Sequence, residues 1–271
     1  MIRTATLYAL LAAGAVVTTF PFVWMLATAL KSEAEALSPG LNIFPEQWMW
    51  SNFVVMFRQV PQFGRYFYNS FLVAFTVTGA VVVTAMLAGY TFARLDFPGR
   101  GILFSLVLAT MMVPFEVTLI PNFMLITMLG WKDTYAALIV PWCANAFSIF
   151  LMRQAFMSLP SDFFDAAKVD GCGHLRFLAR VAAPLVKPML VTVALFAFLG
   201  SYNALLWPLI VTSDEAMRVV QIGLTAFYSD AGLRLNLLMC ASTVVILPSL
   251  LLYFLAQRYF VESALSAGIK G

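Results

Sequence analysis

Charge is scarce in this chain. Only 11% of its 271 residues are charged, while 62% are hydrophobic and the mean hydropathy is +0.90. A soluble core of this length cannot hide so much apolar surface, so a water-soluble globular domain is excluded and the bilayer becomes the solvent. The formal net charge of +3 is too small and too scattered to hold nucleic acid. Cysteine is sparse as well: Cys143, Cys172 and Cys240 support neither a disulfide framework nor a zinc spacing. The only histidine is His174, which reads as a surface residue. Without an H-E-x-x-H or G-x-S-x-G run, the chain lacks the nucleophile–base pair or metal cluster of an intramembrane enzyme. It also lacks the phosphate-cradling G-x-x-x-x-G-K-[ST] run, so no nucleotide, cofactor or metal is expected on this chain.

What is present is long apolar runs. A hydrocarbon core about 30 Å thick needs roughly 20 apolar residues per helix. Six stretches reach that length, over about 7–30, 69–93, 101–125, 134–152, 189–213 and 235–257. Five contain no Asp, Glu, Lys or Arg, and the third contains only Glu116. The expected fold class is therefore all-α, a polytopic membrane protein of six transmembrane helices forming a single transmembrane domain over 1–271. The first stretch follows Arg3 and contains Ala27-Thr28-Ala29, so a cleaved signal peptide is the alternative; its apolar run is too long for a signal core, which favours retention.

Pro21, Pro114, Pro141, Pro208 and Pro248 fall at membrane depth, each removing a backbone donor and predicting a kink or a wet, packed setting. Gly79, Ala85 and Gly89 allow helices to approach closely.

Orientation follows from Lys and Arg in the loops. With the amino terminus inside, Arg3, Arg94, Arg100, Arg153, Lys168, Arg176, Arg180, Lys187, Arg258 and Lys270 make ten inner cations. Lys31, Arg58, Arg65, Lys132, Arg218 and Arg234 make six outer ones. Both termini are thus expected in the cytoplasm. The outer loop 31–68 carries Trp48, Trp50, Phe53, Phe57 and Phe63, which suits segments lying among lipid headgroups.

The inner connection between the fourth and fifth stretches, about 158–188, holds the densest signals. Ser161 or Asp162 can cap a short helix with acidic residues in its first turn, and Asp170-Gly171 can end it with a left-handed glycine. A second short helix is predicted from His174 to Ala183, stopping at Pro184. The product is a compact helical hairpin facing the cytosol.

Here the chain resembles a known family. The run Asp165-Ala166-Ala167-x-x-Asp170-Gly171, with Pro184 fourteen residues after Asp170, is similar to the EAA loop of permease subunits in binding-protein-dependent ABC importers. Asp165 stands where glutamate is usual, and Phe177 lies one position before the usual phenylalanine, at Leu178. The segments P21-F-V-W-M25, F63-G-R-Y-F-Y-N-S70, G89-Y-T-F-A-R-L-D-F-P-G-R100, V113-P-F-E-V-T-L-I-P121, L129-G-W-K-D-T-Y135, F198-L-G-S-Y-N-A-L-L-W-P-L-I210 and Q257-R-Y-F-V-E262 resemble, in that order, the second permease of maltose-type sugar transporters.

That resemblance implies a type I importer permease fold in the bacterial inner membrane. It implies four kinds of partner besides lipid: a second, homologous permease, two ATPase subunits carrying ATP and Mg, and a periplasmic or lipid-anchored solute-binding protein. The chain is expected to form half a pore for sugars or sugar-like solutes such as glycerol phosphate, and to do no chemistry itself. In the loop, Phe163, Phe164, Ala166 and Ala167 are expected to make the buried contact with the ATPase, and Asp165, Asp170 and Gly171 to set its geometry. The loop 213–236, with Asp214, Glu215, Arg218, Tyr228 and Asp230, is expected by resemblance to probe the binding protein, a plain connector being the alternative.

Polar residues at membrane depth are the candidates for a solute path. An ionised carboxylate at bilayer centre costs roughly 2.5–3.5 kcal/mol on insertion scales, so Glu116 must meet water, a partner or a proton. It lies about 23 Å from the inner end of its stretch at 1.5 Å per residue, where snorkelling to the surface is the alternative. Asn145, Ser201, Tyr202 and Asn203 lie nearer midplane and suit either a sugar path or hydrogen bonds between helices. Proline-broken helices and a membrane carboxylate also occur in ion-coupled secondary transporters, the rival function.

Overall fold

The computed structural model describes residues 2–40, 42–229 and 232–268. In chain order the helices are α1 (Ile2–Ala29), α2 (Glu33–Leu37), α3 (Ser51–Gln59), α4 (Phe63–Arg94), α5 (Arg100–Thr110), α6 (Phe115–Met128), α7 (Tyr135–Ile139) and α8 (Ala146–Met157). Then follow α9 (Asp162–Val169), α10 (His174–Phe177), α11 (Ala183–Leu185), α12 (Lys187–Tyr202), α13 (Leu206–Val211), α14 (Val220–Gly223) and α15 (Leu235–Gly268). One two-residue antiparallel pairing, Tyr228–Ser229 with Gly232–Leu233, interrupts this all-helical order. Asp230 and Lys270, invoked above for loop chemistry and orientation, lie outside the described residues.

Three helices, over Thr6–Ala29, Phe63–Arg94 and Leu235–Arg258, are long and apolar enough to cross a bilayer unbroken. The third and fourth stretches are bent pairs, broken at Pro114 and beside Pro141 where the sequence predicts kinks, and the fifth begins just after a third bend. Arg100–Thr110 and Phe115–Met128 meet at 96°, Tyr135–Trp142 and Ala146–Met157 at 41°, and His174–Leu185 and Lys187–Tyr202 at 89°. The stretch 189–213 unwinds after Tyr202 and resumes at Leu206.

Local chemistry explains the breaks. Pro114 lacks an N–H, so it cannot continue α5 and instead precedes the first turn of α6 with ψ 139°. Glu116 then falls in that first turn, where the partial positive charge of a helix N-terminus favours an acid. Pro141 sits in a 3-10 turn between α7 and α8. Pro21 and Pro248, by contrast, remain inside continuous helices.

The described chain forms two compact units, 1–64 with 220–249 and 65–219 with 250–271. In the first, Leu30, Met56, Phe63, Phe227 and Leu237 are fully buried. Asn52 of α3 turns inward, and its Nδ2 donates to Ala29 O at 2.9 Å and Lys31 O at 2.7 Å, satisfying carbonyls at the end of α1. Arg234 Nη1 donates to Gln59 Oε1 at 2.9 Å and its Nη2 meets Glu33 Oε2 at 3.3 Å. Trp48, Trp50 and Phe57 are exposed, whereas Phe63 is core. Residues 6–23 of α1 are bare apolar surface that lipid or a partner must cover.

In the second unit α4 is the central strut. Gly89 lets it touch α8: a Cβ there would stand 2.7 Å from Met152 Cβ and 2.9 Å from Arg153 N. Thr84 Oγ1 donates to Cys143 O at 2.9 Å, and Arg153 Nε donates to Phe92 O at 3.3 Å while its guanidinium covers the Phe104 ring at 4.2 Å. Further along, Phe71 and Phe75 of α4 pack against Tyr202 and Phe198 of α12.

Candidate functional site

The connection 158–188 folds as the expected hairpin, with two local corrections. Gly171 closes α9 at φ 68°, and the paired bonds Cys172 N to Ala167 O (2.8 Å) and Gly171 N to Lys168 O (3.0 Å) form a Schellman end. Ser161 occupies the position before α9, but its side chain makes no capping bond. Its φ of −60° and ψ of −30° are helical, and its carbonyl accepts from Phe164 N and Asp165 N instead. The second arm does not stop at Pro184: α10 widens into a π-turn over Leu178–Ala182 and runs on through α11 to Leu185. The wider turn accommodates the missing N–H of Pro184, and the chain breaks only at Val186, ahead of Pro188.

The faces of this hairpin differ. Phe164 and Ala167 are half-buried, while Phe163, Asp165, Ala166, Asp170 and Gly171 are exposed, with Val169 at 88% and Leu175 at 72%. The Phe164 ring lies 4.3 Å from that of Phe177 and 6.1 Å from that of Tyr90. Arg94 places its guanidinium 4.1 Å over the same ring. Arg94 Nε and Nη2 donate to Phe156 O at 3.1 and 2.7 Å, and Nη2 also donates to Leu159 O. Tyr90 Oη and His174 Nδ1 are hydrogen-bonded at 2.8 Å. His174 is therefore exposed yet tied to α4. These contacts on Tyr90 and Arg94 were not anticipated from the sequence, where Arg94 read only as an inner cation.

A cavity of about 670 Å³ opens beside α4. Ser70, Val73, Val77 and Val81 give one wall of α4 at helical spacing. The opposite walls are helix ends: Phe115 in the first turn of α6, Asn145 before α8, and Gly200, Ser201 and Asn203 where α12 unwinds. Trp142, Phe147, Phe196 and Trp207 add aromatic surface. Asn145 caps α8, its Oδ1 accepting from Ser148 N at 2.9 Å and Ser148 Oγ at 3.1 Å. Three of the polar residues singled out in the sequence, Asn145, Ser201 and Asn203, thus share one cavity. Tyr202 does not line it, being fully buried against Phe71 and Phe198. Glu116 is exposed on α6, one residue beyond the lining Phe115.

At the end of α4 away from the hairpin, Asn69 is completely buried. Its Nδ2 donates to Ala216 O at 2.9 Å and Arg218 O at 2.8 Å, and its Oδ1 accepts from Tyr135 Oη at 2.8 Å. Asp133, with φ 57°, accepts at Oδ1 from the amides of Ser213 and Asp214. The start of the 213–236 loop is thus hydrogen-bonded to Asn69 and Asp133.

Residues 80–264, more than half the chain, match the family described as binding-protein-dependent transport system inner membrane component. The chain belongs to that family. Arabinooligosaccharides transport system permease protein AraQ of Bacillus subtilis (strain 168) is 34% identical over 254 residues, spanning 93% of this chain and 90% of that one. sn-Glycerol-3-phosphate transport system permease protein UgpE of Yersinia enterocolitica serotype O:8 is 30% identical over 262 residues, 94% and 93% of the two chains. The fold matches that of a chain in a bacterial ABC transporter involved in the import of the acidic polysaccharide alginate, with TM-score 0.83, 22% identity and 96% coverage of both. As an inner membrane component of a binding-protein-dependent system, the chain is a multi-pass permease subunit and not an enzyme, and ATP hydrolysis belongs to a separate subunit. This membership sets aside the ion-coupled secondary transporter.

Proposed function

We propose that this permease forms half of the translocation pore of an ATP-driven importer for sugars or sugar-like solutes, and that its 158–188 hairpin seats on an ATPase subunit. The observation that carries the reading is the two-faced hairpin: one face packed on Tyr90 and Arg94 of α4, the other left bare with Phe163, Ala166 and Val169 outward. A short helix packed as one body transmits displacement better than a flexible loop. Phe163, Asp165 and Ala166 supply the outward contact. Phe164 and Ala167 hold the helix from behind, and Asp170 and Gly171 set the turn.

The whole chain, 1–271, acts as one transmembrane domain beside a second, homologous permease. Two ATPase subunits bind ATP and Mg, this chain binds neither, and a periplasmic or lipid-anchored binding protein delivers the solute. The ten-to-six excess of Lys and Arg on the hairpin side supports the reading that this side and both termini face the cytoplasm of a bacterial inner membrane. The 213–236 loop then faces the binding protein.

The relatives' names, arabinooligosaccharide and glycerol phosphate among them, suggest the solute class. The cavity suits it: Trp142 and Phe147 offer apolar aromatic surface to a sugar's C–H groups, while Asn145, Ser201 and Asn203 offer hydroxyl and amide contacts. Tyr202 supports the Asn203 turn from behind, and Glu116 stands at the edge of this path. Cysteines placed at Phe163 and Val169 test the docking by disulfide capture of engineered ATPase cysteines in the assembled importer. Capture at both is expected; no capture across a full scan of the ATPase cleft contradicts it.

A further inference from the structure

α4 carries both parts of this machine. Ser70 to Val81 line the cavity and Tyr90 to Arg94 hold the hairpin, separated by about 14 Å along one unbroken helix at 1.5 Å per residue. We propose that Arg94 is the positioning residue that fastens the hairpin to α4 and α8, so that a displacement of α9 reaches the cavity wall instead of being absorbed in the turns on either side of α9. The inference rests on the coupling role assigned above.

One guanidinium ties α4, the end of α8 and α9 together at this corner. It donates to Phe156 O in the last turn of α8 and to Leu159 O just beyond, and it covers the ring of Phe164 on α9. Cations are favoured at a helix C-terminus, and the planar fork of arginine can bond carbonyls and stack on a ring at once. Lysine, with a point charge on a flexible stem, cannot do both. One turn earlier Tyr90 grips the other arm, through His174 at 2.8 Å and the Phe177 ring at 6.3 Å. α8 and α4 approach closely where Gly89 meets Met152 and Arg153. The hairpin, α8 and the inner end of α4 therefore move as one body.

The test uses the complete importer, with both permeases, the ATPases and the binding protein, in proteoliposomes. Arg94→Lys is expected to assemble and to lower solute transported per ATP hydrolysed by about fivefold, within the range of coupling changes seen for residues away from ligands. Phe164→Leu is expected to act in the same direction, and the double variant to be no worse than the stronger single one, since both remove one contact. Spin labels at Lys168→Cys and Asp96→Cys, with Cys143, Cys172 and Cys240 replaced, should show a distance distribution that broadens in Arg94→Lys.

An unchanged transport-to-ATP ratio in both Arg94→Lys and Arg94→Ala overturns the proposal. So does failure of Arg94→Lys to assemble while Phe164→Leu stays fully coupled, because Arg94 then serves folding alone. Phe163→Asp separates this from the docking itself. If it leaves ATPase co-purification intact, docking fails; if it removes the ATPase while Arg94 variants keep the full ratio, docking stands and the fastening falls.

Discussion

The hairpin and the cavity are made from the same second unit by opposite means. Around the hairpin, side chains interlock: Arg94, Tyr90, Phe164, Phe177 and His174 form one cluster of stacked rings and hydrogen bonds. Around the cavity, the walls opposite α4 are helix ends, at Phe115, Asn145 and Asn203. Helix ends leave backbone groups without intrahelical partners, so they can exchange bonds with one another, water or solute at low cost. In the proposed function, force is received where the chain is interlocked, and solute passes where it is interrupted. α4 is the common element, continuous where α5/α6, α7/α8 and α12/α13 are not.

The comparison breaks first at Gly89. Gly89→Val is expected to abolish the folded subunit, read as loss of the monodisperse peak in detergent, because even a Cβ lies 2.7 Å from Met152 Cβ and 2.9 Å from a backbone nitrogen. A folded, transporting Gly89→Val protein contradicts the close α4–α8 contact. Filling the cavity is next: Ala144→Trp should lower uptake about tenfold or more while leaving ATPase co-purification unchanged, since Ala144 lines the cavity and not the hairpin. Loss of the ATPase instead would dissolve the separation of the two regions.

A smaller effect is expected at the far end of α4. Asn69→Leu strips the Ala216 and Arg218 carbonyls and the Tyr135 hydroxyl of their partner, a loss of about 1–3 kcal/mol seen as a lowered midpoint of thermal unfolding. Smallest is Leu175→Ser on the bare side of the hairpin, expected within about 0.5 kcal/mol of the parent in the isolated permease. A large stability loss there would mean that Leu175 is packed within this chain.

Much of this was legible in the sequence. Apolar run length located the membrane segments, and Asp170-Gly171 located the turn of the hairpin, because a left-handed glycine after a short acidic-started helix has few other uses. The break at Pro114 was expected as a kink, whereas those at Asn145 and Asn203 were not located, since an apolar run reads the same whether one helix or two fill it. Pro184 misled for a related reason: proline usually ends a helix, but the π-turn at Leu178–Ala182 let this one continue. Of the polar candidates, Asn145, Ser201 and Asn203 converge because all three sit at or beside helix ends, while Tyr202, one residue along from Asn203, points into the aromatic core. Arg94 stayed hidden because a cation at the end of a span is read for orientation; its partners, the carbonyls of Phe156 and Leu159, carry no sequence signature at all.

The most direct measurement replaces residues 162–171 with a flexible Gly-Ser linker of equal length and follows ATP hydrolysis and solute entry together in the reconstituted importer. The account predicts that ATP-driven entry disappears and that the ATPase no longer responds to loaded binding protein. Solute entry that remains in step with hydrolysis in that variant would contradict it.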